Sequence, residues 1–181
     1  MTVGRRHFLL GTAAGLTGFS TLSRAASIVA DCEAQQLSFY NIHTSEKLNK
    51  IVYREHGELI PGALEEINQY LRDFRTGETH PIDVALLDKL FVLDRQFGPP
   101  RGHFEVICGY RSAKTNEALR HVTTGVAKDS LHLVGQAIDV RHTATSTRNL
   151  RDAAITLRDG GVGYYANSNF VHVDTGAFRT W

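Results

Sequence analysis

The sequence predicts an α+β domain built on a small, mostly antiparallel sheet with flanking helices. In the first half, apolar residues recur at helical spacing; in the second half, short apolar runs alternate with polar residues and are cut by Gly and Asn turns. Helices gathered early and strands late argue for segregated elements rather than a regular βαβ repeat. Residues 27–181 are one domain's worth of chain, after an N-terminal segment set aside below.

Taken in order, Gln36–Asn41 and Lys50–Arg54 read as an N-terminal hairpin. Leu64, Ile67, Leu71 and Phe74 follow Pro61 at helical spacing, and proline suits a first helical turn. Leu86, Leu90, Leu93 and Phe97 form a second stripe, with Asp83 as N-cap and Gly98-Pro99-Pro100 as a stop. Phe104–Cys108 reads as a strand that ends in Gly109-Tyr110-Arg111-Ser112, and Ser112 caps a short helix through Leu119. Gln136–Arg141 is a strand. Leu150, Ala154 and Leu157 mark a third long helix, stopped at Gly160-Gly161. Val162–Tyr165 and Phe170–Asp174 are strands joined by a turn at Asn167-Ser168-Asn169.

Residues 1–26 have a different character. Arg5-Arg6 precedes a mildly apolar run from Phe8 to Leu22, and Ser23-Arg24-Ala25-Ala26 offers small residues for cleavage. This is the layout of a twin-arginine export signal and implies a periplasmic protein. A membrane anchor needs about 20 consecutive apolar residues, so no stable insertion is expected after cleavage. Loss of three arginines and no acid takes the remainder from 20 Lys+Arg and 19 Asp+Glu to a net charge of about −2. No basic stripe argues for a nucleic-acid partner. Cys32 and Cys108 would reach an oxidising compartment, where a disulfide or two free thiols are the alternatives.

The chemistry concentrates in Ser130-Leu131-His132-Leu133-Val134-Gly135-Gln136-Ala137-Ile138-Asp139, which reads S-x-H-x-x-G-x-A-x-D, and in Phe170-Val171-His172-Val173-Asp174. Two imidazoles and a carboxylate are a ligand set for catalytic zinc with a vertex left for water. In the strands, Ala137, Asp139 and Arg141 share one face opposite Ile138 and Val140, while His172 and Asp174 lie opposite Val171 and Val173. Both strands thus turn a ligand away from the core, and Gly135 permits the tight turn that lets His132 approach Asp139. The expected metal ligands are His132, Asp139 and His172. His121 and His142 are expected at the surface.

These motifs, with Gly109-Tyr110-Arg111-Ser112, Gly161-Val162-Gly163-Tyr164-Tyr165 and Asn41-Ile42-His43-Thr44-Ser45-Glu46, resemble the zinc D-Ala-D-Ala peptidase family. That family is grouped with lysostaphin-type enzymes and the Hedgehog domain. Within it the resemblance is greatest to the twin-arginine-exported murein endopeptidases of Gram-negative bacteria. It implies one zinc ion and hydrolysis of peptide cross-links in peptidoglycan by a metal-activated water. It also places Arg111 as an oxyanion stabiliser or substrate carboxylate fork, and Ser130 as a substrate contact or a loop-fixing residue. Carboxypeptidases of the family carry an acid three residues before the last histidine ligand; here that residue is Asn169. Asp174 is then the nearest carboxylate in sequence and the expected general base, or else the group that orients a histidine. The departure at Asn169 keeps two other readings open: a D-amino-acid-releasing carboxypeptidase, and a non-catalytic zinc-containing module that binds peptidoglycan.

Overall fold

Alternating burial builds the first strands. The computed structural model describes Met1 and residues 34–99 and 101–181. The export signal, its cleavage region and Cys32 lie outside the described residues, and with them the choice between a disulfide and free thiols. Strand β1 (Gln35–Asn41) buries Leu37, Phe39 and Asn41. It pairs antiparallel with β2 (Lys47–Glu55), the expected hairpin, and β2 carries a two-residue β3 (Glu58–Leu59) on its outer edge.

Helix α1 (Pro61–Tyr70) opens on proline, whose missing N–H costs nothing in a first turn. It ends before Phe74, the last residue of the expected stripe, which stacks on His43 at 4.1 Å instead. Helix α2 (Val84–Gln96) is capped as expected, the Asp83 carboxylate accepting from Ala85 N. Strand β4 (Phe104–Cys108) leads through Gly109–Ser112 into α3 (Ala113–Val122), whose Ser112 cap accepts from Thr115 N. Buried Asp73 anchors that turn, its Oδ2 accepting from the Ser112 hydroxyl at 2.7 Å and the Ser112 N–H at 3.0 Å. The remaining elements are β5 (Ala137–His142), α4 (Thr147–Leu157), β6 (Gly161–Tyr165), β7 (Phe170–Asp174) and β8 (Arg179–Thr180).

The strands form one eight-stranded sheet in the order β3-β2-β1-β4-β5-β7-β6-β8. Only β1–β4 and β6–β8 are parallel, so the sheet is mostly antiparallel, as expected. It exceeds the sequence expectation by two edge strands of two residues each. Helix α1 packs on β2, α2 on β1, and α4 on β5, β6 and β7. Ile138, Val140, Val162, Val171 and Val173 belong to the buried core beneath these helices. Because side chains alternate, the opposite face of the same strands presents Asp139 and His172. No helix among the described residues is long and apolar enough to cross a membrane.

Candidate metal centre

Sheet register sets the site. Cys108 on β4 lies opposite Asp139 on β5, Asp139 opposite His172 on β7, and His172 opposite Gly163 on β6. These four residues form one row across the sheet, on the face turned away from α1, α2 and α4. His132 reaches the row from a short 3-10 turn, Leu131–Val134. The turn closes at Gly135 with φ +67°, where a Cβ would overlap Pro81 O, so only glycine fits.

The sequence-predicted ligands converge. Asp139 Oδ1 is 2.9 Å from His172 Nδ1 and 3.3 Å from His132 Nε2, and the two rings meet edge to face at 5.1 Å. Ligand atoms around a tetrahedral zinc with 2.0–2.1 Å bonds stand about 3.3 Å apart. The far nitrogens are engaged as well. His132 Nδ1–H donates to Gly109 O at 2.7 Å, and His172 Nε2–H donates to Asp174 Oδ2 at 3.0 Å. Each ring therefore turns a lone pair toward the Asp139 carboxylate, an arrangement that repels unless a cation sits between.

The electrostatics express the same demand. Burial opposes charge on His132, yet Asp139 and Cys108 outweigh it and raise the imidazole well above its usual value. Burial likewise opposes the Asp139 anion, and His132 and His172 overcome it, holding that carboxyl below the usual range. Cys108 Sγ, His132 and Asp139 form a group whose donor atoms all lie within 4.8 Å of one another, and His172 joins it through its contact with Asp139 Oδ1. This donor set of two nitrogens, a carboxylate oxygen and a nearby sulfur suits zinc.

The cleft over this point encloses about 210 Å³, and its walls include Arg111, Asp129, Ser130, Tyr165, Arg179 and Trp181 beside the three ligands. Ser130 is on that wall and its hydroxyl does not cap the following turn. Arg111 is buried. Its Nη1 donates to Asn116 Oδ1 at 3.3 Å, Nη2 stands 3.5 Å from Cys108 Sγ and 3.7 Å from Asp139 Oδ2, and Nε has no partner. Asn116 in turn donates to Ala127 O and Lys128 O, which ties the loop before Ser130 to the arginine.

Asp174, expected as the general base or as the group that orients a histidine, stands behind the ring of His172. It is fully buried, outside the cleft wall, and already accepts from His172, Gly161 N, Gly176 N and both terminal nitrogens of Arg179. No oxygen lone pair is left facing the cleft for a water's proton. Burial raises this carboxyl's pKa, but the donors outweigh burial and hold it below the usual range. Asp174→Asn is expected to lower metal affinity or activity by about 10–100-fold, the usual penalty for losing a partner that orients a ligand. Titration with a competing zinc chelator measures it; unchanged affinity and turnover would contradict the role.

Asn169 takes no part in the site. It sits in the β6–β7 turn at φ +51°, its side chain accepting from Thr147 Oγ1 and its carbonyl from Arg141 Nε. His121 is exposed and pairs with Glu117, but His142 departs from the surface expectation. It is buried, 2.9 Å from Asp94 Oδ1 and packed edge-on against Phe104. Two cleft residues went unread in the sequence. Trp181 packs its indole 5.3 Å from the His172 ring and bonds Tyr165 OH through Nε1. It lies on Gly163, where a Cβ would come 2.6 Å from the indole. Arg179 clamps Asp174 and crosses the Trp181 ring at 5.0 Å. The signal was present: Arg179 and Trp181 are two residues apart, which places them on one strand face, and Trp181 is the sole tryptophan.

Comparison with known proteins identifies the family. The family profile Peptidase_M15_2, described as peptidoglycan L,D-endopeptidase MepK, matches residues 29–181. The probable peptidoglycan L,D-endopeptidase MepK of Haemophilus influenzae is 40% identical over 165 residues, covering 91% of this chain and 88% of that protein. Peptidoglycan L,D-endopeptidase MepK of Escherichia coli K12 is 41% identical over 145 residues, covering 80% of this chain and 79% of its own length. No solved structure matches. A profile that spans every described strand and helix, together with relatives of this identity over most of their length, leaves one assignment: the chain belongs to the Peptidase_M15_2 family, the family of the peptidoglycan L,D-endopeptidase MepK.

Proposed function

We propose that the chain is a zinc-dependent murein endopeptidase that hydrolyses L,D peptide cross-links in peptidoglycan. One observation carries the reading: Asp139 Oδ1 stands at ligand spacing from a ring nitrogen of His132 and from one of His172, beside an open cleft. The relatives' names supply the bond type, since both are L,D-endopeptidases. The Arg5-Arg6 pair and the run after it support export to the periplasm by the twin-arginine route.

His132, Asp139 and His172 would hold the zinc. When bound, zinc supplies a water acidified to a pKa of about 7 and polarises the scissile carbonyl. The chain's own groups do the rest. Gly109 O fixes the His132 tautomer by taking its Nδ1 proton, and Asp174 fixes that of His172. Arg111 keeps a permanent positive charge on the cleft wall, suited to the oxyanion that forms as the carbonyl is attacked. Trp181, Tyr165 and Phe170 line the same cleft and offer apolar surface to a stem peptide while excluding water.

The test is digestion of purified muropeptide dimers of defined linkage. Zinc-loaded protein is expected to convert L,D-linked dimers to monomers and to leave D,D-linked dimers and uncross-linked pentapeptide intact. Mass spectrometry resolves the three. Intact L,D-linked dimers after exhaustive incubation would refute the assignment, and loss of a terminal residue from the pentapeptide would make the protein a carboxypeptidase.

A further inference from the structure

We propose that Cys108 is a fourth protein ligand of the metal in the substrate-free protein, its thiolate joining His132, Asp139 and His172. The inference rests on the metal reading above and adds a donor to it.

Three features of the structure carry it. Cys108 and Asp139 are register partners on adjacent strands, so their side chains rise from the same face of the sheet. Cys108 Sγ, a ring nitrogen of His132 and a carboxylate oxygen of Asp139 all fall within 4.8 Å of one another. Donors sharing one zinc stand about 3.3–3.7 Å apart, so a small side-chain adjustment brings the sulfur into the sphere. Among the described residues nothing strong holds the thiol away from His132, its other contacts being Gly109 O at 3.6 Å and Arg111 Nη2 at 3.5 Å.

Arg111 completes the argument. Its guanidinium lies beside both the sulfur and Asp139 Oδ2, at 3.5 and 3.7 Å. A site with two anionic ligands and two neutral imidazoles cancels the charge of a divalent ion, and the buried arginine then stabilises the anionic donors from behind. Cys108 is not part of the cleft wall, whereas His132, Asp139 and His172 are. The sulfur therefore approaches from the sheet side and leaves the cleft side to water as a fifth ligand, a number zinc accepts. A soft donor in this place favours zinc over magnesium or manganese.

The experiment uses the full chain carrying Cys32→Ser, so that Cys108 is the sole thiol. Loaded with cobalt(II), it is expected to show visible d–d bands together with a near-ultraviolet thiolate-to-cobalt charge-transfer band. Loaded with zinc, its X-ray absorption fine structure is expected to contain a sulfur shell at about 2.3 Å beside nitrogen and oxygen at about 2.0–2.1 Å. Adding Cys108→Ser should abolish both sulfur signatures and keep the d–d bands. Cobalt bound with d–d bands but no charge transfer, and zinc with a nitrogen and oxygen shell alone, would overturn the proposal. Failure to bind either metal would instead remove the metal reading itself. If Cys108→Ser does not fold, the sulfur shell of the Cys32→Ser protein decides by itself.

Discussion

His132→Ala is expected to yield a folded protein without metal and without measurable cross-link hydrolysis. The ring is 2% exposed and does two things at once. Its Nε2 faces Asp139, and its Nδ1–H ties the turn to Gly109 O at the end of β4. Alanine removes the nitrogen donor that comes from outside the sheet row. Asp139, His172 and Cys108 remain, but all three lie in one row of the sheet and do not enclose an ion. Activity should fall by more than about 10³-fold, because bound zinc takes water's pKa from about 16 to about 7 and that gain goes with the ion. Metal content by plasma mass spectrometry is expected to drop from one equivalent to near zero, with the far-ultraviolet circular dichroism retained. Chelation of the unmutated protein should give the same loss, reversed by zinc; the variant should not recover. A His132→Ala protein that keeps one equivalent of zinc and its turnover would show that the ion is held elsewhere.

The meeting of Asp139, His172 and His132 was legible because it depends on two short-range rules. Alternation in Gln136–Arg141 and Phe170–Asp174 separates Asp139 and His172 from the valines and isoleucine beside them, and the structure separates them the same way. The glycine at 135 announces a turn, and the turn delivers His132. Asp174 shows the limit of the same rules. Alternation correctly places it on the face of His172, but face does not tell whether a carboxylate stands before the ring or behind it. That is decided by Gly161, Gly176 and Arg179, donors from separate segments whose approach no local pattern encodes. The two-residue strands β3 and β8 were unreadable for a related reason, since two residues contain no period. With β8 unseen, Arg179 and Trp181 had no route to the site, although the first clamps Asp174 and the second walls the cleft. Cys108 was hidden by register: its pairing with Asp139 follows an irregularity between Val106 and Cys108, and a shift of one residue would have turned the sulfur into the core.

Arg111 carries the other large effect, and Arg111→Met is expected to lower kcat by about 10²–10³-fold, the range for removal of one preorganised oxyanion donor. Its surroundings support the expectation that the charge serves the reaction more than folding. A purely structural arginine would be tied at each nitrogen, whereas here the Nε has no partner and the contacts of the fork run from 3.3 to 3.7 Å. Such a group is held in place by Asn116 yet keeps electrostatic capacity for charge that appears only during attack on the carbonyl. The substitution should therefore act on kcat more than on KM, and zinc should remain bound at one equivalent, because His132, Asp139 and His172 are untouched. Arg111→Lys is expected to recover part of the rate and no more. A lysine restores the point charge, but one ammonium cannot span Asn116, Cys108 and the cleft as a planar fork does. Asn116→Ala separates anchoring from chemistry: it frees the guanidinium and loosens the loop at Ala127 and Lys128, so its cost should fall on KM as well as kcat. Loss of zinc in Arg111→Met would make the arginine a keeper of the metal site, and an unchanged kcat would remove it from the reaction altogether.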